Sequence, residues 1–368
     1  MYKYNDKDVL RIYRGGTLLY ERVTETLDEV HFVTNGVAYY QGIAGDEIVY
    51  SDGTTLPITT NQRVTLKSIT GTQKVVLKSE RGTTDLSKVI YFEGSGITEL
   101  LNFPKSSEIN GCKFYIVDGS ANLVKVPTTL PPNITDLSGM FQKCGSFNQD
   151  ISGWDTSNIV NMSTMFYDAK SFNQPVGAWD ISSVTDLSRV FQFATKFDQD
   201  LSEWNTANVT DMSNAFNGAT LFNQPLTTWD TSKVTNMTGM FQFATKFNQP
   251  LNTWNTSNVT SMNSVFNGAS AFNGAIDQWN TSKVTTMGQM FQNATLFNVD
   301  ISLWNTAVVN YMGYMFYGAN AFSHSLRDWC VPLILSDPSS FGNGTGTFGA
   351  PKYPVWGTCP RGENSLTT

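Results

Sequence analysis

The sequence predicts a repeat solenoid, with a short strand and a short helix or 3-10 turn in each 25-residue unit, preceded by a small β-rich domain. Three observations predict it. Trp154, Trp179, Trp204, Trp229, Trp254, Trp279, Trp304 and Trp329 stand 25 residues apart. Other apolar and polar columns keep the same beat. Residues 1 to about 90 lack the beat but carry turn dipeptides between apolar runs. A strict period of this length means like units, each burying its apolar face against its neighbours. Such stacks more often present extended surfaces than build one reactive pocket, so the pattern points away from an enzyme.

At 368 residues the chain exceeds a usual single domain. It divides into a β-rich N-terminal attachment domain at 1–90, a linker with atypical capping repeats at 91–133, eight units at 134–329, and a C-terminal cap and tail at 330–368. In the first part, Val9–Arg14 and Thr17–Tyr20 flank Gly15-Gly16, a hairpin signal. Asn35-Gly36 between His31–Val33 and Val37–Tyr40 is a second hairpin signal, and Asp52-Gly53 and Gly71 mark further turns. A small sandwich or barrel is the expected arrangement. Leu123-Val124-Lys125-Val126-Pro127 through Ile134 reads as an atypical opening unit, and Ile97-Thr98-Glu99-Leu100-Leu101 as the start of one more.

Within the repeats, Phe stands seven and thirteen residues before each Trp, as in Phe222 and Phe216 before Trp229. An aliphatic residue stands three before it (Ile151, Val176, Leu326), and Cys144 heads a column otherwise filled by Ala169, Ala194, Ala219, Ala244, Ala269, Ala294 and Ala319. A row of aromatic rings suggests a sugar-stacking ladder. Phe, Trp, Val and Met nevertheless repeat in one pattern, as a continuous buried stripe requires, so the tryptophans read as core. Val234, Met237, Met240 and Phe241 have the spacing of one face of a short α or 3-10 piece. Leu221–Trp229 reads as extended, with any regular strand kept short by Pro225. Stacking of such strands advances about 4.8 Å per unit.

Polar columns repeat as well. Asn follows the second Phe at 148, 173, 223, 248, 273 and 298, with Asp198 the exception, and Asp or Asn follows each Trp from 155 to 305. They read as side chains satisfying turn backbone groups. Calcium held in the turns is the alternative, but no Gly-Gly-x-Gly-x-Asp pattern or EF-hand spacing is present. Gln142, Gln192, Gln242 and Gln292 recur every 50 residues, and Phe193-Ala194-Thr195-Lys196 returns as Phe243-Ala244-Thr245-Lys246. This second rhythm reads as duplication of a two-unit block.

The unit at 234–241, 244, 247–251 and 254–257, Val-Thr-Asn-Met-Thr-Gly-Met-Phe…Ala…Phe-Asn-Gln-Pro-Leu…Trp-Asn-Thr-Ser, resembles the BspA-like leucine-rich repeats of bacterial surface proteins. The resemblance covers 134 to about 360, and the tail from Trp329 to Pro360 is similar to the family's closing cap. It implies a leucine-rich-repeat-like solenoid, a role in adhesion or recognition, and no catalysis. Separately, Arg11-Ile12-Tyr13-Arg14-Gly15-Gly16-Thr17-Leu18-Leu19-Tyr20 is similar to the opening of some phage tail and virion proteins.

The first residues show no basic region followed by an apolar one, so no signal peptide is expected, and no stretch is long and apolar enough to span a membrane. A virion protein released by lysis needs no export signal. Cys330 and Cys359 enclose a Pro- and Gly-rich stretch, and a disulfide there would stabilise the cap by about 3 kcal/mol. Cys144 reads as a buried thiol; Cys112 has no assigned role. No Cys/His cluster points to zinc, and no glycine motif points to a nucleotide, so no cofactor and no metal are expected. His31 and His324 are the only histidines, neither beside a nucleophile signature, and His324 reads as a surface or rim residue. A net charge of −7 without a basic block argues against nucleic acid.

Recognition is expected in columns that vary between units. The pair before each Trp varies most, giving Thr227 and Thr228, Asn252 and Thr253, Asp277 and Gln278 as candidates. Gln224 and Gln249 come from the next most variable column. This small, mostly uncharged set suits hydrogen bonds to a saccharide or a protein; a solvated face without a ligand is the alternative. The expected protein is a virion or tail component whose repeats contact a host cell-surface glycan or protein and whose residues 1–90 contact other virion proteins. A structural decoration protein and a bacterial cell-surface adhesin are the alternatives.

Overall fold

The computed structural model describes the backbone of thirteen strands between Tyr2 and Asp136, residues 134–342 and 348–360 with their side chains, and parts of 47–59 and 125–132. In the first sheet β1 (Tyr2–Asp6), β2 (Val9–Arg14) and β3 (Thr17–Val23) pair antiparallel in that order. Arg14 lies opposite Thr17, so these two strands pair across Gly15-Gly16 as that dipeptide predicts.

The expected second hairpin does not form. β4 (Asp28–Thr34) pairs with β9 (Gly71–Ser79) and β11 (Ile97–Leu100), whereas β5 (Tyr39–Gln41) pairs with β8 (Arg63–Thr65) and β10 (Ile90–Glu93). β4 matches β9 over its full length, from Asp28↔Leu77 to Thr34↔Gly71. That long register satisfies far more ladder groups than a three-residue partner across Asn35-Gly36 can offer. β6 (Asp46–Tyr50) and β7 (Thr55–Pro57) complete this sheet and pair across Asp52-Gly53. There Gly53 has φ 80°, and the Thr54 N–H donates to Asp52 Oδ1 at 3.0 Å. Gly71 opens β9.

The remaining sheet has the order β8-β5-β10-β12-β13, with β12 at Cys112–Val117 and β13 at Ile134–Asp136. Its last three strands are parallel, with Ile90 opposite Phe114 and Cys112 opposite Ile134. These separations are close to one repeat. The run Ile97–Leu101, expected to open an extra unit, instead supplies β11 to the other sheet, and β10 takes the place in the parallel series. The reason is register: β11 lies against β4, while β10 runs beside β12.

The series continues through the repeats as single-residue parallel bridges: Asp136, Asn161, Asp186, Asp211, Asn236, Ser261, Thr286 and Tyr311, each joined to the next. This ladder lies in the segment expected to be helical, not in Leu221–Trp229. The segment 234–244 is a chain of turns. Its N–H groups at Met240, Gln242 and Ala244 donate to the carbonyls of Met237, Gly239 and Phe241 at 3.1, 3.0 and 3.1 Å. The N–H groups between them point elsewhere: those of Met237, Gly239, Phe241 and Phe243 donate to Ser261, Asn263, Val265 and Asn267 of the next unit, at 2.7–3.3 Å. A helix would spend every donor within its own unit. Alternating donors between a turn and the next unit keeps the three-four spacing of Met237, Met240 and Phe241 on the core side while tying neighbours together.

This alternation needs left-handed backbone at two sites per unit. In one unit they are Gly239 (φ 63°) and Phe243 (φ 57°); in others they include Thr164, Arg189, Gln289 and Tyr314 (φ 57°, 57°, 59° and 59°). Non-glycine residues carry a steric cost there, of roughly 1–2 kcal/mol. The hydrogen-bonded frame imposes the conformation whatever residue stands in the column.

The core runs through the stack. The two Phe rings of one unit stack face to face at 3.7–4.4 Å, and like rings of successive units follow at 5.4–6.1 Å. The tryptophans form a third row: Trp229, Trp254 and Trp279 are 6.3 Å apart with planes within 4°. All eight indoles are buried, and each Nε1–H donates to a backbone carbonyl of the preceding unit, as Trp279 does to Leu251 O at 2.9 Å. The aromatic row is therefore internal.

The 50-residue rhythm has a packing cause. The rings of Phe193 and Phe243 lie over Gly218 and Gly268 in the following unit, where a Cβ would collide with them. A large residue in one unit is accommodated by glycine in the next, so this column alternates.

The row of aromatic rings ends by rotation. Phe341 keeps the beat of the first Phe column and accepts the Phe316 N–H through its carbonyl at 2.8 Å, but its ring stands at 77° to Phe316. Phe348 stands at 81° to Phe322. Edge-on rings close a face that parallel rings would leave ready for another unit. Cys330 and Cys359 are joined by a disulfide across this cap. Cys144 is a buried thiol whose Sγ lies 3.8 Å from Gln142 O. Among the described residues no helix is long and apolar enough to cross a membrane.

Candidate recognition surface

Most repeated polar side chains serve the stack. Asn148 Oδ1 accepts the Asn173 N–H at 2.8 Å, Asn173 accepts that of Asp198 at 2.9 Å, and the chain continues through Asp198, Asn223, Asn248, Asn273 and Asn298 to Ser323. After each of the first seven repeat tryptophans, the Asp or Asn side chain caps the N–H two residues on, as Asp230 does for Ser232 at 2.9 Å. The following buried Thr reaches the next unit: Thr231 Oγ1 donates to Asn255 O at 3.0 Å. Serine donors hold the carboxyls of Asp155, Asp180 and Asp230 below their ordinary value, the hydroxyl contributing first and the N–H second.

Gln224 and Gln249 belong with this frame. Gln224 Nε2 donates to Asp198 O and Oδ1 at 3.2 and 2.9 Å, and Gln249 Nε2 to Asn223 O at 2.8 Å. Both are half-buried. His324 stands in the same column, and its Nε2 lies 3.0 Å from Asn298 O, the place of the glutamine amide. It is 3.8 Å from Asp300 through Nδ1.

The pairs before the tryptophans lie together on three successive units. Thr227, Thr228, Thr253 and Gln278 are exposed, and Asn252 and Asp277 half-buried. Threonine hydroxyls step along the face: Thr228 donates to Ser202 O at 2.6 Å and Thr253 to Thr227 O at 2.8 Å. Beside them Asp277 accepts from Gln278 Nε2 at 2.6 Å and from Asn252 Nδ2 at 3.0 Å, and these two donors, Gln278 first, lower its carboxyl's pKa. The hydroxyl oxygens retain acceptor capacity, and Asp277 supplies one fixed negative charge. This arrangement can hydrogen-bond a ligand; it contains no nucleophile with a base beside it. Among the described residues no three His, Cys, Asp or Glu side chains gather as metal ligands do.

A second surface escaped sequence reading. The bridging column is half-buried along the ladder and exposed at Tyr311, and its residues and those of the left-handed column after it change from unit to unit. One end carries Asp136, Asp186 and Asp211; the other carries Tyr311, Tyr314 and Tyr317, which are 50, 37 and 39 % exposed. Their spacing of three residues would put them on one face of a helical turn as well; what the spacing leaves open is that this face is exposed.

The family described as "Mycoplasma protein of unknown function, DUF285" matches residues 128–228, 175–258 and 250–345, which together span more than half of the chain. No curated protein and no solved structure matches it.

Proposed function

The chain belongs to the DUF285 family, and from that premise we propose that it is a non-enzymatic recognition protein, a leucine-rich-repeat-like solenoid that binds a cell surface through its exposed variable columns. One observation carries the reading: the invariant columns are consumed by core packing and inter-unit hydrogen bonds, while the residues that vary between units, such as Thr227, Thr253 and Gln278, remain exposed. A rigid frame with a variable face is the arrangement of repeat proteins that recognise extended partners. The finer proposal is a virion or tail component that contacts a host cell-surface glycan or protein, with residues 1–90 contacting other virion proteins. It rests on the likeness of Arg11–Tyr20 to virion protein openings. The family's description names Mycoplasma, which favours a second reading, an adhesin on a bacterial cell surface.

Purified full-length protein should bind host cells and compete with particle adsorption. A variant carrying Thr227→Ala, Thr228→Ala, Thr253→Ala and Gln278→Ala should bind less while melting at nearly the same temperature. Absence of cell binding by the folded full chain would sink the recognition reading. Antibody labelling of particles against labelling of intact bacteria separates the virion from the cell-surface location.

A further inference from the structure

We propose that Tyr311, Tyr314 and Tyr317 form a stacking platform for a neutral saccharide. The proposal deepens the recognition reading and rests on it. All three side chains are substantially exposed, in a chain whose other repeat-region rings are mostly buried. Tyr314 and Tyr317 meet edge to face at 6.1 Å and 70°. The Tyr311 ring lies across Gly288 of the preceding unit and Gly313 of its own, where a Cβ would strike it. Two glycines thus clear the floor on which this ring rests, and its outer side stays open to solvent. Tyr314 holds left-handed backbone at φ 59°, a conformation hard for a bulky side chain. No other unit places an aromatic residue in that column: the others carry Gly139, Thr164, Arg189, Asn214, Gly239, Ser264 and Gln289.

The surroundings select the ligand class. In the two preceding units the corresponding positions are Thr286, Gln289 and Gln292, then Ser261, Ser264 and Asn267, all uncharged. Thr286 Oγ1 and the Gly288 N–H both donate to Asn263 Oδ1, at 2.6 and 2.7 Å, so this rim is held in place. The carboxylates of the face stand at the other end of the ladder, at Asp136, Asp186 and Asp211. Ser264 and Asn267 are buried, which leaves the Thr286 hydroxyl and the Gln289 and Gln292 amides beside the exposed rings, with no charge at these positions in the last three units; this matches a pyranose, whose C–H faces lie on the rings and whose hydroxyls meet the amides. An acidic polymer would find no cationic side chain at these positions.

The test uses the full chain and affinity electrophoresis through gels containing a soluble neutral glucan, a neutral galactomannan or hyaluronan as the acidic control. The variant Tyr311→Thr/Tyr314→Gln/Tyr317→Gln installs the residues of the preceding unit, so the stack tolerates it. Retardation by a neutral polysaccharide that persists at high salt, and falls at least about tenfold in the variant, is the expected result. Retention by neither neutral polymer, equal retention of the variant, or retention by hyaluronan alone would overturn the platform. If the variant is retained as the parent is while the parent binds cells, the platform fails and the recognition reading stands; if the parent binds no cells but is retained by a neutral polymer and the variant is not, the reverse holds.

Discussion

Replacing Trp279 by Phe distinguishes a tryptophan that packs from one that stacks on ligands. The indole is 3 % exposed and lies between Trp254 and Trp304, at 6.3 and 6.2 Å. Its Nε1–H donates to Leu251 O at 2.9 Å, and that carbonyl also accepts the Trp254 N–H at 3.1 Å. Phenylalanine therefore removes one hydrogen bond but leaves the acceptor partnered, a loss of about 1 kcal/mol. The smaller ring leaves a void of roughly 40 Å³, which at about 24 cal/mol per Å³ adds about 1 kcal/mol. Trp279→Phe should thus destabilise by about 2 kcal/mol, and Trp279→Ala by about 3–5 kcal/mol. Urea unfolding of the full chain, followed by far-ultraviolet circular dichroism, should show the midpoint falling in that order. Neighbouring units depend on each other's interfaces, so the alanine variant should also broaden the transition. Unchanged stability in both variants, together with lost cell binding, would refute a core role and make the row a ligand-stacking ladder.

Gly268→Ala should cost at least about 1–2 kcal/mol, because φ is 72° and the new methyl meets the Phe243 ring. Adding Phe243→Ala should recover the collision but not the backbone cost, and a double-mutant cycle of thermal melts reads the difference. Acid should weaken the stack. The folded-state pKa values of Asp155, Asp180 and Asp230 lie below their ordinary 3.8. Their contribution is therefore present above the unfolded value and lost as pH falls through the lower folded ones. Asp155→Asn/Asp180→Asn/Asp230→Asn keeps the turn caps, as Asn205 and Asn255 do, and should flatten that part of the pH profile of melting temperature. Cys330→Ser/Cys359→Ser should loosen the cap by about 3 kcal/mol. Proteolysis should then begin within 330–360, and unchanged protease resistance would count against the bridge as the cap's fastening.

The beat of tryptophan, the Phe columns and the small column at Ala169 or Ala244 were legible in the sequence, because a stripe buried between like units must be written again in every unit. The asparagine ladder was legible too, since the amides of Asn223 and Asn248 accept the equivalent backbone N–H groups of Asn248 and Asn273, one unit apart. The tertiary structure decided what lies between those columns. Three-four spacing at Met237, Met240 and Phe241 is shared by a helical turn and by linked β-turns, and only the destination of the intervening N–H groups, in the next unit, separates the two. The left-handed sites were silent in sequence, since Thr164, Arg189 and Gln289 stand where glycine would signal them. The same holds for the exposure of Tyr311, Tyr314 and Tyr317, and for the choice of β9 over β5 as the partner of β4. Local spacing records which side chains are buried together. Which backbone groups meet across units, and which outward side chains become neighbours, depends on stacking between residues far apart in the chain.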